Sequence, residues 1–453
     1  MKDNPKSSPR QIAVEILTRI DTAGAYAEPL LDRALSDRSA LNPQDRRLLT
    51  ELVYGTLRMR GQLDWMIAQF YRGDPNTLEA TVRNILRTAV YQLRFTDRIP
   101  AFAVLNEAVG IAKSLQPAVA GLVNAVLRTT LRQKDALEWP SLTDDAAGAI
   151  AILHSHPLWL VRRLIAQFGP EETVAICSAD NAMAPLALRV NSLKAARPDA
   201  VAALAAEGIA AEATALSPDG LRLTSPGAAL RESAAYKGGL VRIQDEASQL
   251  VARLVAPKPG ERILDLCAGA GGKTLHLAAL MNNRGLITAL DLHEDRLRML
   301  REEAKRLGVT IVETRAGDAA EPHVSFSGTF DRVLLDAPCS GLGTLRRNPE
   351  IRWRITAGDL KKCMETQRRL LANAAECVRP GGRLVYSVCT VTPEENELVV
   401  ADLLKNRPEF SRVAPPAGEI DAALFDAAGD LRTFPHRHGA DGFFAAVLTR
   451  KGT

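Results

Sequence analysis

Two cysteines follow short apolar stretches that have the composition of buried strands. Cys339 comes shortly after the run Val333–Leu335, with Asp336 between them, and Cys389 comes directly after Arg383–Val388. In open α/β sheets, ligands bind beyond the carboxyl ends of the strands, so both thiols are expected at that edge. A deprotonated thiol is a strong nucleophile. The pattern therefore predicts a site where two thiols and one carboxylate meet, which suits covalent chemistry.

Carboxylates follow each of the first four strands expected in this part of the chain. From about residue 245 strands and helices alternate, which predicts a mostly parallel, doubly wound sheet with a final antiparallel strand. The four carboxylates are Asp265, Asp291, Asp318 and Asp336. A turn or helix-cap role would explain any one of them. An acid after all four strands favours a ligand site instead.

A glycine-rich loop connects the first of these strands to the next expected helix. Its residues are Cys267, Ala268, Gly269, Ala270, Gly271, Gly272 and Lys273. Such glycines allow tight turns and let a ligand approach the backbone. A P-loop would require glycine at Cys267, and a dinucleotide fingerprint would require glycine at Thr274, so neither phosphate-binding motif fits.

A site for S-adenosylmethionine, where no phosphate has to be bound, agrees with this loop and with the acids. The loop would let the backbone approach the amino acid part of the cofactor. Asp291 ends the second strand and would bind the ribose hydroxyls, and Asp318 follows the third strand and would meet the adenine edge.

The composition excludes several classes of protein. With 46% hydrophobic and 24% charged residues the chain is globular, and 453 residues suggest two or three domains. No apolar run approaches the length of a membrane span, and the N-terminal residues lack the apolar segment of a secretory signal. The six cysteines form no C-x-x-C pair and have no histidines at zinc spacing, so we expect no metal site and a reducing, cytoplasmic location.

Positive charge is concentrated near the N-terminus. The net charge of the chain is +4, yet residues 1–134 contain 19 Lys and Arg against 13 Asp and Glu, a local excess of six. Segregated positive charge suggests a polyanionic partner for this part of the chain. A solvated, arginine-rich helix surface explains the charge alone equally well.

Three regions differ in their hydrophobic pattern. Residues 1–135 carry only the three- and four-residue spacing of helices and predict an all-α bundle. Residues 145–240 mix helices with short strands and predict a small α+β subdomain. Residues 241–453 predict the α/β doubly wound, Rossmann-like domain that contains the cysteines.

The first 130 residues contain several short sequence motifs that resemble those of a known family. These motifs are Tyr54–Arg58, Arg87–Leu93, Asp97–Pro100, Asn106–Val109 and Val123–Arg128. Together they resemble the NusB family of RNA-binding helical domains. The resemblance agrees with the local basic excess, but it does not specify which arginines contact RNA.

Three motifs of the last domain resemble those of the Sun-type RNA cytosine-5 methyltransferases. They are Asp265–Lys273, Asp336–Gly343 and Tyr386–Asn396. With the NusB-like part, the resemblance covers nearly the whole chain. It implies a bacterial enzyme that methylates 16S ribosomal RNA with S-adenosylmethionine. We expect the chain to be a monomer. The family usually has proline where Ala270 stands, which would alter the rigidity of the loop while leaving its backbone path.

The resemblance also implies a role for each residue of the predicted site. Cys389 would be the nucleophile that adds to C6 of the cytosine, and Cys339 would assist release of the enzyme. Asp336 would hold the N3/N4 edge of the base and also approach the cofactor. The target base would have to be unstacked or lie in a loop.

Alternatives remain open for some of these assignments. In DNA cytosine-5 methyltransferases the nucleophile belongs to a Pro-Cys motif, which here would make Cys339 the attacking residue. A regulator of transcription that binds RNA and carries an inactive methyltransferase fold is the rival function. The basic segments Arg346–Pro349 and Arg352–Arg354 are suited to RNA contacts, with a plain helix surface as the alternative.

Overall fold

The computed structural model describes residues 8–37, 41–97, 99–224, 230–321, 326–414 and 419–452. Residues 1–7 and Arg98, which belong to the NusB-like region, lie outside these ranges. The chain divides into two compact units, Met1–Met183 with Leu345–Ile355, and Ala184–Thr344 with Thr356–Thr453. Within the described ranges, no helix has the length and apolar character needed to cross a membrane.

The first unit is built from helices. They are α1 (Pro9–Ala23), α2 (Ala27–Asp37), α3 (Pro43–Phe70), α4 (Ala80–Phe95), α5 (Ala101–Leu115), α6 (Ala120–Gln133), α7 (Ala146–Leu153), α8 (Leu158–Phe168) and α9 (Pro170–Asn181). The side chains of Ser8 and Asn42 cap α1 and α3, each followed by a proline in the first turn. The apolar faces of α1 to α6 form one core, which confirms the predicted all-α bundle.

A group of ion pairs centred on the buried Arg87 and Asp21 crosses this bundle. The Arg87 guanidinium lies 2.8 Å from Asp21 and 2.6 Å from Asp64, and Arg60 lies 3.0 Å from Asp21. These two arginines are therefore occupied inside the first unit. The positive charge available to a polyanion must come from other basic residues of this unit.

The second unit contains a small antiparallel sheet. Its strands are β1 (Ala187–Val190), β2 (Ala211–Ala213), β3 (Gly220–Leu223) and β4 (Val241–Ile243), in the order β2-β3-β1-β4. Helices α10 (Arg197–Ala206) and α11 (Ala234–Lys237) accompany it, and their apolar residues share its core. The predicted α+β character of this subdomain is confirmed, whereas α7, α8 and α9, which fall within the predicted bounds 145–240, belong to the first compact unit.

A larger sheet forms the rest of the second unit. Its strands are β5 (Arg262–Asp265), β6 (Leu286–Asp291), β7 (Val312–Ala316), β8 (Phe330–Asp336), β9 (Val378–Val388), β10 (Phe410–Arg412), β11 (Leu431–Thr433) and β12 (Phe443–Arg450). The remaining helices of the chain are α12 (Glu246–Val255), α13 (Gly272–Leu280), α14 (Glu294–Leu307), α15 (Ile351–Arg354), α16 (Ala357–Cys377), α17 (Glu397–Asn406) and α18 (Pro435–His438). All but α15 belong to the second unit.

The order of the strands positions the site. The sheet runs β10-β12-β9-β8-β5-β6-β7, and β11 pairs with β12. Strands β5 to β9 pair in parallel, whereas β12 is antiparallel to its neighbours, as the sequence predicted. The chain order reverses between β5 and β8, which makes their carboxyl ends the expected ligand crevice.

The apolar run in β8 is buried on both faces of the sheet. Leu334 packs in one apolar core, and its neighbours Val333 and Leu335 pack in the other. Successive side chains of a strand point to opposite faces, so a sheet covered on both sides needs an unbroken apolar run. This run therefore holds the strand that carries Asp336 rigidly in place.

The RNA-contact hypothesis for Arg352 is wrong. Its side chain is 0% exposed, within the segment Leu345–Ile355 of the first unit. It donates to the backbone carbonyls of Ser155 and Asp180 at 3.1 Å and to Asn181 Oδ1 at 2.7 Å. Burial lowers the pKa of Arg352 to about 10. Carbonyl groups beside two helix ends needed donors, and this arginine supplies them.

Candidate active site

The two predicted cysteines lie side by side at the edge of the large sheet. Cys339 is in the loop after β8 and Cys389 directly follows β9, and their Sγ atoms are 3.2 Å apart. A hydrogen bond with Cys389, followed by burial, raises the pKa of Cys339 well above its usual range. Cys339 therefore stays protonated at neutral pH and can donate its S–H to the Cys389 sulfur.

Asp336, the last residue of β8, is bonded to the glycine-rich loop and to strand β9. Its Oδ2 atom accepts a hydrogen bond from Lys273 Nζ at 2.6 Å, and its Oδ1 atom accepts one from Ser387 Oγ at 2.7 Å. Lys273 lies in the first turn of α13, and its Nζ is also 5.1 Å from the centre of the Phe443 ring. The Asp336 side chain is 29% exposed, so a ligand can reach the carboxylate that these contacts orient.

The glycine-rich loop is bonded to the end of the second parallel strand. Gly269 N–H donates to Asp291 Oδ2 at 2.8 Å, and His293 N–H donates to Asp291 Oδ1 at 2.9 Å. Gly269 has a φ of +55°, which disfavours a side chain, and a Cβ atom there would meet no atom within 4 Å. The loop therefore presents open backbone beside a carboxylate.

All four predicted aspartates act on a single thiol. Burial raises the pKa of Cys267, and the carboxylates of Asp265, Asp336, Asp291 and Asp318 raise it further. Three of these acids also bond directly to the loop or to the helix that follows it: Asp291 to Gly269, Asp336 to Lys273 and Asp265 to Thr274. Cys267 stays protonated, so it is no candidate nucleophile.

The four aspartates differ in their surroundings. Burial raises the pKa of Asp265 to about 7, although Thr274 Oγ1 donates to it at 2.7 Å. Asp318 is exposed, and its Oδ1 atom accepts a hydrogen bond from Ala320 N–H. Asp265 therefore supports the loop from inside, whereas the Asp318 side chain is exposed to solvent.

Two arginines of the small sheet hold the carbonyl groups of the loop, and the sequence argument missed both. Arg242 donates to the carbonyls of Ala270 at 2.9 Å and Gly271 at 3.3 Å, and Arg189 donates to that of Gly272 at 3.1 Å. In the sequence, the only sign of a special role for Arg189 and Arg242 is that each is a basic residue inside a short apolar strand. These bonds restrain the loop at the position where the resembling family usually has proline.

Ser387 and Glu395 were also missed. Ser387 is a polar residue inside the apolar strand β9, and this interruption of the apolar pattern could have identified it as a candidate site residue. Glu395 lies in a turn, where a local capping role is the simplest expectation. Within the described ranges, no three His, Cys, Asp or Glu side chains come together in a way that could hold a metal ion.

Comparison with known proteins identifies the family. The NusB family matches residues 7–132, the RsmF/B-like ferredoxin-like domain matches residues 156–229, and the 16S rRNA methyltransferase RsmB/F family matches residues 252–449. The chain is 37% identical to a probable ribosomal RNA small subunit methyltransferase B of Bacillus subtilis, over 99% of this chain and 100% of that protein. The chain belongs to the RsmB/F family of 16S ribosomal RNA methyltransferases.

Further relatives agree with this family. A probable ribosomal RNA small subunit methyltransferase B of Synechocystis is 36% identical over 98% of this chain and 99% of its own length. The crystal structure of PH0851 has a TM-score of 0.83 and 30% identity, covering 98% of this chain and 99% of that one. NSun6 from Pyrococcus horikoshii, solved with SFG, has a TM-score of 0.59 and 25% identity, covering 66% and 100%. These matches confirm the predicted NusB-like domain and the predicted ribosomal RNA methyltransferase family.

Proposed function

We propose that this chain transfers a methyl group from S-adenosylmethionine to C5 of a cytosine in 16S ribosomal RNA. In this proposal Cys389 is the nucleophile and Cys339 assists release. The 3.2 Å separation of the two thiols, on the loops that follow the neighbouring parallel strands β8 and β9, carries the proposal. A base that enters this crevice would meet a nucleophile, a protonated thiol and a carboxylate together.

The residues of the glycine-rich loop suit the proposed cofactor. Open backbone at Gly269 could receive its amino acid part, and the exposed Asp318 could receive its adenine. Asp291 would meet the ribose, and Asp336 and Lys273 would face the reacting end. When bound, S-adenosylmethionine supplies an electrophilic methyl group on a sulfonium.

Cys389 supplies the activation that cytosine needs. Its thiolate adds to C6, and the electrons of the C5–C6 double bond make C5 nucleophilic enough to take the methyl group. The S–CH3 bond of the sulfonium breaks in this step, and its electron pair stays on the sulfur, which becomes a neutral thioether. The C5 proton then leaves to a base, its bonding pair re-forms the double bond, and the thiolate is expelled. Cys339 can stabilise the departing thiolate of Cys389 with its S–H. Asp336 can accept a hydrogen bond from the exocyclic amine of the base.

A methylation assay tests the function directly. Unmodified 16S RNA is incubated with the chain and S-adenosylmethionine, digested, and its nucleosides are separated by mass spectrometry. We expect 5-methylcytidine. A different methylated nucleoside would refute the proposed atom of attack. No methylation, together with no calorimetric affinity for S-adenosylmethionine, would favour the RNA-binding regulator.

RNA binding is expected to weaken steeply with salt because of the basic excess in residues 1–134. If about six phosphates are neutralised, affinity should fall about 10²- to 10³-fold between 50 and 200 mM salt. Fluorescence anisotropy with Cys389→Ala and a labelled 16S fragment would measure this without turnover. An affinity independent of salt would contradict phosphate binding by this part of the chain.

Arg242→Ala is expected to weaken affinity for S-adenosylmethionine about tenfold, because hydrogen bonds to the loop carbonyls of Ala270 and Gly271 are lost. Calorimetry measures the change. Arg222→Ala is the matched control, since Arg222 lies in the same sheet and pairs with Glu212 at the surface. Equal affinities in both variants would show that the loop does not depend on Arg242.

A further inference from the structure

A buried carboxylate lies behind the two thiols. Glu395 is 0% exposed, and both of its oxygens are surrounded by donors. Oε1 accepts hydrogen bonds from Ser340 N–H at 2.8 Å and from Gln367 Nε2 at 3.0 Å. Oε2 lies 2.5 Å from Ser340 Oγ, 2.9 Å from Thr392 Oγ1 and 3.2 Å from Thr390 Oγ1. A buried charge is tolerated only with such partners.

The partners of Glu395 belong to the loops that carry the thiols. Ser340 directly follows Cys339, and Thr390 directly follows Cys389. The hydroxyl oxygens of Ser340 and Thr390 are also 2.9 Å apart. One carboxylate therefore bonds to the residue after each cysteine.

Helix α16 adds a third support. Gln367 donates from its Nε2 to Glu395 and also to the Pro338 carbonyl, which precedes Cys339. In addition, Gly343 N–H donates to the Cys389 carbonyl at 3.0 Å. The two loops are thus fixed to each other and to the helix, with Glu395 bonded to all three.

We propose that Glu395 is a positioning residue that sets the separation of the two thiols. This inference rests on the proposed function, in which Cys389 attacks and Cys339 assists release. The charge of Glu395 also helps to raise the pKa of Cys339, which keeps that thiol protonated. The pKa of Cys363 in α16 is raised to about 11, mainly by burial and also by the Glu395 carboxylate.

The variants separate geometry from charge. Glu395→Ala removes every bond, and Glu395→Asp keeps the charge but withdraws the carboxylate by one methylene. Glu395→Gln keeps the length: its carbonyl can accept from Ser340 and Gln367, and its amide can donate to the hydroxyls, which rotate. Glu365→Gln is the control, because Glu365 is exposed on the same helix as Gln367.

The first measurement does not depend on methylation. Phenylarsine oxide condenses with two adjacent thiols, forming two As–S bonds and releasing water, and intact mass spectrometry detects the product. We expect the wild type, Glu395→Gln and Glu365→Gln to retain one arsenical after competition with a monothiol. Glu395→Ala and Glu395→Asp should lose it, as should Cys339→Ala and Cys389→Ala.

The second measurement is the kinetics of methylation. In Glu395→Ala we expect kcat to fall about 100-fold, because small misplacements of reacting groups are costly. The KM values for RNA and S-adenosylmethionine should change little, and Glu395→Gln should restore most of kcat. Melting curves identify which variants fold, and Glu395→Asp takes the place of Glu395→Ala if the latter does not.

The outcomes distinguish this inference from the proposed function. A folded Glu395→Ala, or Glu395→Asp in its place, that retains the arsenical and kcat would overturn the positioning role. Loss of the arsenical in a chain whose wild type makes no 5-methylcytidine would support the positioning of the thiols and refute the function.

Discussion

Cys389→Ala is expected to abolish methylation, with a fall in rate of about 10⁴-fold or more, as removal of a catalytic nucleophile does elsewhere. Cys339 lies 3.2 Å from Cys389 in the wild type and loses that hydrogen bond in the variant, but burial and the Glu395 carboxylate still raise its pKa, so it stays protonated and cannot take over the attack. On a denaturing gel with 16S RNA and S-adenosylmethionine, this variant should form no slow-moving RNA adduct.

Cys339→Ala should behave in the opposite way. Without its assistance the adduct with Cys389 should accumulate, so a slow band should appear in this variant. Cys377→Ala is the control, because Cys377 is a buried thiol of α16 whose Sγ bonds to the Asn373 carbonyl. An adduct in Cys389→Ala and none in Cys339→Ala would mean that Cys339 is the nucleophile, as in the DNA enzymes.

Asp336→Asn is expected to lower kcat about 10²- to 10³-fold, the usual effect of removing one preorganised polar group from an active site. The amide has nearly the shape of the carboxylate but cannot balance the charge of Lys273, whose Nζ lies 2.6 Å away. It would also present a donor where an acceptor for the exocyclic amine of cytosine is needed. Single-turnover methylation measures the change.

Asp331→Asn is the matched control for this variant. Asp331 lies at the start of the same strand, β8, and pairs with Arg379 away from the thiols. It should retain wild-type kcat with at most a small loss of stability. Equal rates for Asp336→Asn and Asp331→Asn would remove Asp336 from the mechanism.

The placement of the main groups could be predicted from local sequence. The apolar run of β8 and the alternation of strands with helices define parallel strands, and parallel strands end at one edge. Cys339, Cys389 and the four aspartates could therefore be brought together without knowing any long-range contact. In the structure the two thiols lie 3.2 Å apart, and Asp265, Asp291 and Asp336 bond to the glycine-rich loop or to the helix that follows it.

The supporting contacts could not be predicted in this way. Lys273 and Asp336 are 63 positions apart, and Arg189 and Gly272 are 83 apart. Such pairs form only when distant elements pack together. The sequence around each of these residues does not indicate which residue it will contact. Lys273 could only be placed on the loop, not on the carboxylate that it contacts.

For Arg352 the sequence predicted a contact that the structure does not have. A short basic segment with one tryptophan has the composition of an exposed RNA-binding surface. Composition does not show which buried carbonyl groups need a hydrogen-bond donor, so it could not predict that Arg352 is buried. In the structure the guanidinium satisfies carbonyls beside two helix ends of the first unit. The need to pair buried polar groups decided its position.

The most direct test of the central claim uses 16S RNA in which cytidine is replaced by 5-fluorocytidine. Fluorine at C5 cannot leave as a proton does, so the enzyme stays bonded to C6 after methyl transfer. The wild-type adduct is digested with protease and nuclease, and the modified peptide is sequenced by mass spectrometry. We expect a nucleotide on Cys389. A nucleotide on Cys339 would contradict the assignment of Cys389 as the nucleophile.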